Sequence, residues 1–197
     1  MPRRAGVGRA TCPKMRPHSV GRRRYAGVVR FAIREATPGD ATGIARAHTA
    51  SWRTSYRGLL PDAVLARIDV DQRAASWRQT LQDSSLLKLV AYDTTDHDIV
   101  GLCDAGPSRG TTGHAGEVYR MYFEHHARRH GLGREMFERV TAWLRTRQLD
   151  SLVIWVLDTN HHARQFYQAM GGRPGPRVAS SVSGFPVIEQ AYLWDQI

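Results

Sequence analysis

The sequence predicts an α/β protein: a central twisted, mixed β-sheet of six to seven strands flanked by helices on both faces. Three observations lead there. The apolar run Leu152–Leu157 is short and uninterrupted, as in a strand buried on both faces. Two amphipathic helical patterns flank it, one through Leu132, Met136, Phe137, Val140, Trp143 and Leu144, the other through Ala163, Phe166, Tyr167 and Met170. The resulting strand–helix–strand unit over 117–157 implies a parallel pair with a right-handed crossover, while a polar turn at 93–98 between strands at 86–92 and 99–105 implies a hairpin and antiparallel neighbours.

Taken in order, Val28, Val29, Phe31 and Ile33 mark a first strand, with Phe31 and Ile33 on one face. Thr37-Pro38-Gly39-Asp40 then reads as a helix start, with Thr as cap, Pro at the first helical position and an acid in the first turn. The helix should run to about residue 57, with Ile44, His48, Trp52 and Tyr56 spaced at four. Short helices follow over 62–68 and 71–82, then the hairpin. Residues 107–116 form a Gly-, Ser- and Thr-rich loop before a strand at 117–123. A helix over 132–147, the strand 152–157 and a helix over 160–170 come next, the last stopped by Gly171-Gly172. Two strands at 177–182 and 186–194 close the chain.

The chain has 197 residues, 42% of them hydrophobic and 23% charged, which suits one folded domain and excludes collagen, coiled coil and wholesale disorder. No stretch approaches the ~20 apolar residues of a membrane span. Two cysteines, Cys12 and Cys103, exclude a disulfide framework and a four-cysteine zinc site, so a reduced, cytoplasmic protein is expected. The net charge of +10 suggests nucleic acid until it is divided. Residues 1–30 carry eight Arg, one Lys and no acid, which leaves only +1 for the other 167. Basicity therefore belongs to a tail, and any nucleic-acid contact would be through that tail alone. Residues 1–28 are expected to be disordered, with Met15 as an alternative start, and 29–197 to form the domain. The tail lacks the apolar run of a secretory signal.

The informative segment is Arg128-Arg129-His130-Gly131-Leu132-Gly133-Arg134, between the 117–123 strand and the following helix. Glycines let backbone approach a ligand closely, and a helix N-terminus carries about half a positive charge, so this turn can cradle a pyrophosphate. Alone, it reads equally as a tight strand–helix turn. A Walker loop is excluded, because the only lysines are Lys14 and Lys88. A dinucleotide fingerprint is weakened: Met136 stands where a third Gly belongs, although Asp158 does end the next strand.

With Arg128-x-x-Gly131-x-Gly133, the sequence resembles the GNAT superfamily of acetyl-CoA-dependent N-acetyltransferases. The likeness extends to Glu117–Phe123, similar to that family's fourth strand, to Asn160-x-x-Ala163-x-x-Phe166-Tyr167 after the fifth, and to Ser51-Trp52-Arg53-x-x-Tyr56-Arg57-Gly58-Leu59-Leu60-Pro61. Arg129 and His130 depart from the residues common there, as does His125 where Pro is frequent; the backbone N–H groups are retained. The resemblance implies a GNAT-like fold and transfer of an acetyl group from acetyl-CoA to a primary amine of a small molecule or peptide. It implies a possible homodimer through the last strands. No metal is expected, because no carboxylate–histidine spacing resembles that of a zinc protease. A catalytically silent acetyl-CoA-binding module is the alternative.

The resemblance also assigns roles. The end of the fourth strand, Met121, Tyr122 and Phe123, would meet the pantetheine arm where the fourth and fifth strands diverge. Arg128, Arg129, His130, Gly131, Leu132, Gly133 and Arg134 would take the pyrophosphate, and Asn160 the arm near the fifth strand. Tyr167 is the candidate general acid, since a phenol stays protonated at neutral pH, and otherwise a core aromatic. Glu117 is the candidate base, and otherwise a strand-end carboxylate holding an Arg. Trp52 and Tyr56, one turn apart, would wall the acceptor pocket or pack in the core. The amine supplies the nucleophile, so no activated Ser or Cys is needed, and Cys103 reads as a small core residue.

Overall fold

The computed structural model describes residues 30–110 and 112–197. The basic segment 1–28 lies outside the described residues, as does the expected start of the first strand. Seven strands form one sheet: β1 (Phe31–Glu35), β2 (Leu87–Asp93), β3 (Ile99–Pro107), β4 (Gly116–Phe123), β5 (Leu152–Leu157), β6 (Arg173–Val182) and β7 (Phe185–Trp194). The helices are α1 (Ala41–Ser55), α2 (Asp62–Ala66), α3 (Val70–Gln82), α4 (Leu132–Thr146) and α5 (His161–Ala169). Strand order is β1-β2-β3-β4-β5-β7-β6, and only β4 and β5 run parallel, joined through α4.

The alternation of side chains sorts two cores. Leu89, Ala91 and Cys103 face α4 and α5, meeting Met136, Val140 and Tyr167. Val90 and Leu102 face the other way, onto Ile44, Ala74 and Trp77 of α1 and α3. Burying each such aliphatic side chain contributes about 2 kcal/mol. A smaller cluster around Tyr56, Leu60, Leu65 and Leu157 closes the far end of that second face. The expected Thr37-Pro38 start is present as a single 3-10 turn running into α1. There Asp40 accepts hydrogen bonds from Thr37 and pairs with Arg34. The first helix ends at Ser55, two residues short of expectation, where the chain turns through a left-handed Gly58.

One irregularity shapes the site. Ala105 pairs with Val118 and Asp104 with Arg120, so Tyr119 is an extra residue in β4, a β-bulge that bends the strand. On its other edge β4 pairs with β5 only from Gly116 to Val118. Beyond Val118 the two parallel strands share no ladder, while β5 stays zipped to β7 along its length. A wedge therefore opens between β4 and β5, lined on the β4 side by 119–123. Below the wedge, the buried Asp104 is paired with Arg120, whose guanidinium lies over the Trp77 ring.

Candidate active site

The turn after β4 opens onto the mouth of this wedge. The first intrahelical bond at the start of α4 is donated by Glu135 N–H to the Gly131 carbonyl. The N–H groups of Gly131, Leu132, Gly133 and Arg134 have no acceptor among the described residues, as the first turn of a helix dictates. Gly131 is left-handed (φ 83°), and a Cβ there would meet nothing within 4 Å, so the open space in front of the turn is real. Gly133 does a different job. A Cβ would come within 3.2 Å of the Phe166 ring, so its absence lets α5 press against the start of α4. Arg129 also adopts positive φ (64°), a conformation costing a residue with a Cβ about 1 kcal/mol or more, held here beside the cradle.

The charged flank is divided. Arg128 is half-buried and turned inward: its Nε donates to the Phe123 carbonyl (3.0 Å) and a terminal nitrogen to Ser55 Oγ (2.7 Å), tying the end of β4 to the end of α1. Arg129 and Arg134 are exposed. His130 lies edge-on to Phe31, 5.1 Å between ring centres.

Across the wedge, Asn160 caps α5 through its side-chain oxygen, which accepts from the Ala163 N–H (3.2 Å). Tyr167 is buried one helix face away, its ring 5.3 Å from Phe166 and 6.0 Å from Tyr192. Burial pushes its phenol well above the ordinary value, with Tyr122 and Cys103 adding to the effect, so it holds its proton firmly. Its hydroxyl has no hydrogen-bond partner among the described residues.

On the opposite face of the sheet, a cavity of about 300 Å³ sits between β4, β5 and the end of α1. Trp52, Tyr56, Glu117, Tyr122, Leu157 and Glu189 all line it. Trp52 and Tyr56 meet edge to face at 4.9 Å, and the Tyr56 and Tyr122 hydroxyls lie 3.1 Å apart. Burial pushes the Tyr56 phenol far up, with Tyr122, Tyr167 and Glu189 all contributing negative potential. Trp52 and Tyr56 line this cavity, and Tyr56 also belongs to the Leu60–Leu157 cluster, against which Trp52 packs.

Glu117 is buried on this wall with both carboxylate oxygens engaged. One accepts from the Arg109 backbone N–H (2.9 Å) and the other from its guanidinium (2.8 Å), which also stacks on Tyr119. Glu117 thus has the Arg partner that its alternative reading required. Two charged wall residues escaped the sequence reading, Arg109 and Glu189. Glu189 had a signal: it is the one charge in the alternating series Val187, Glu189, Ala191, Leu193. Arg109 had none, because loop residues carry no period. Among the described residues, no three His, Cys, Asp or Glu side chains gather as a metal set, and no helix is long and apolar enough to cross a membrane.

Comparison with known proteins agrees with this geometry. Residues 46–171, well over half of the chain, match the model of the acetyltransferase (GNAT) family. The chain is 28% identical over 138 residues to the uncharacterized N-acetyltransferase YuaI of Bacillus subtilis (strain 168), covering 70% of this chain and 77% of that protein. Its fold is similar to that of the PaiA N-acetyltransferase from Thermoplasma acidophilum in complex with coenzyme A (TM-score 0.62, 14% identity, 81% of this chain and 97% of that one). It is equally similar to YncA from Salmonella typhimurium with its cofactor acetyl-CoA (TM-score 0.62, 19% identity, 84% and 93%). A bulged fourth strand splayed from the fifth, a glycine turn opening α4 and a family match spanning both lead to one conclusion: this chain belongs to the GNAT family of acetyltransferases.

Proposed function

We propose that this chain transfers the acetyl group of acetyl-CoA to a primary amine, of a small molecule or of a protein N-terminus, by direct attack within a ternary complex. The observation that carries the proposal is the set of four unpaired amides from Gly131 to Arg134 at the mouth of the β4–β5 wedge. These donors suit a diphosphate, and the open space before Gly131 admits one. The edge of β4 that faces the wedge has no strand partner beyond Val118, and although Arg128 occupies the Phe123 carbonyl, the edge suits the amides of a pantetheine arm as a missing strand would. The complexes of PaiA with coenzyme A and of YncA with acetyl-CoA support the same cosubstrate here.

When bound, acetyl-CoA supplies a thioester whose carbonyl accepts an amine and whose sulfur leaves. The chain's own residues then have two tasks. Tyr167 holds a proton on an otherwise unpartnered phenol, the group a departing sulfur anion requires. Glu117 is the base by resemblance, and Arg109 must release it first or a water must bridge, because both its oxygens are occupied. Arg128 orients the cradle by holding it to Phe123 and Ser55.

The test is thiol release from acetyl-CoA by the full chain against a panel of amines, run beside Tyr167→Phe. Amine-dependent release that falls steeply in the variant supports the reading. Binding of acetyl-CoA with no transfer to any amine would support a silent binding module instead.

A further inference from the structure

Glu189 is out of place. Its cross-strand neighbours on β5 and β6 are Leu157 and Val178, and its neighbour two residues earlier on the same face of β7 is Val187. Val182 packs into the same apolar cluster. Glu189 is half-buried, and a carboxylate partly withdrawn from water into such a layer is normally paired. Glu189 has no hydrogen-bond or ion-pair partner among the described residues. The other acids near it are spoken for: Glu117 by Arg109, and Asp158 by Arg164 and Arg177. The cavity wall therefore carries one uncompensated negative charge, surrounded by Trp52, Tyr56, Leu157 and Val178. Such a site asks for a single cation on an apolar body.

We propose that Glu189 receives the ammonium group of the acceptor, and that the acceptor is a monocationic primary amine carried on an apolar or aromatic skeleton. This rests on the acetyl-transfer reading above and narrows its substrate class. A polyamine would leave further positive charges against Leu60, Val156 and Val182, without counter-ions. An amino acid would bring a carboxylate beside Glu189. Arg73, which has no carboxylate partner among the described residues, stands over the Trp52 ring at 4.7 Å and does not line the cavity.

The test uses the full chain, acetyl-CoA and three probes: phenethylamine, phenylalanine (the same body plus a carboxylate) and spermidine. Phenethylamine should be acetylated with kcat/KM at least tenfold above either of the others. Glu189→Gln should raise its KM at least tenfold while the KM for acetyl-CoA stays within twofold, and Glu189→Asp should recover part of the loss. Glu189→Leu should raise Tm while abolishing calorimetric binding of phenethylamine to the CoA-loaded protein, a pairing that a purely structural carboxylate would not give. The proposal is overturned if phenylalanine or spermidine matches phenethylamine, if Glu189→Gln leaves the amine KM within twofold, or if the CoA-loaded wild type fails to bind phenethylamine. Absence of CoA binding would instead remove the acetyl-transfer reading, and this proposal with it.

Discussion

The hydroxyls of Tyr56 and Tyr122 lie 3.1 Å apart, although the residues are 66 positions apart in sequence. Tyr56 follows the last turn of α1, and Tyr122 sits near the end of β4, beyond the bulge at Tyr119. This contact joins the helix that walls the cavity to the strand that borders the wedge.

Removing either hydroxyl leaves the other buried without that partner. Tyr56→Phe and Tyr122→Phe should each lower stability by about 1 kcal/mol, read from urea unfolding midpoints. The double variant should lose less than the sum of the two, because both single changes break the same bond.

Tyr167 separates chemistry from packing. Its ring is core, but its hydroxyl holds no partner among the described residues, so Tyr167→Phe should leave the unfolding midpoint almost unchanged. The same variant should lower kcat about 10²- to 10⁴-fold with little change in the KM for acetyl-CoA. Wild-type kcat in this variant would remove Tyr167 as the acid.

Gly131 tests the cradle. Its φ of 83° strains any side chain, whereas the space around it is open. Gly131→Ala should cost about 1 kcal/mol of stability and weaken coenzyme A binding as the turn relaxes, seen by calorimetry on the same preparation.

His48 makes acid sensitivity predictable. It is buried against Tyr122, accepts a hydrogen bond from Trp77 and is pushed down to about 2 by burial, with Arg73 and Arg120 adding to the effect. The native state keeps it neutral, while the unfolded chain protonates it below about pH 6.5. Stability should therefore fall as pH drops through 6.5, by up to about 1.4 kcal/mol per pH unit from this group. His48→Gln, which keeps an acceptor for Trp77, should flatten that slope in urea titrations at pH 7 and pH 5.

What could be read from the sequence follows what is periodic. Leu152–Leu157 is a strand over those same residues because an uninterrupted apolar run fits burial on both faces. The Gly131-x-Gly133 turn was visible because glycine marks backbone demands directly. The bulge at Tyr119 was not, since a one-residue shift in pairing depends on β3 and leaves no local mark. β6 starts at Arg173 rather than 177, through Pro174, Gly175 and Pro176, which an edge strand tolerates because its outer N–H groups face solvent. Glu117 was legible as a polar strand residue. Its capture by Arg109 was not, because a loop side chain sets it.

Calorimetric titration of coenzyme A into the folded full chain tests the central claim most directly. The account predicts saturable one-to-one binding that Gly131→Ala weakens and Tyr167→Phe leaves intact. Absence of saturable heat from wild-type protein that unfolds cooperatively would contradict it.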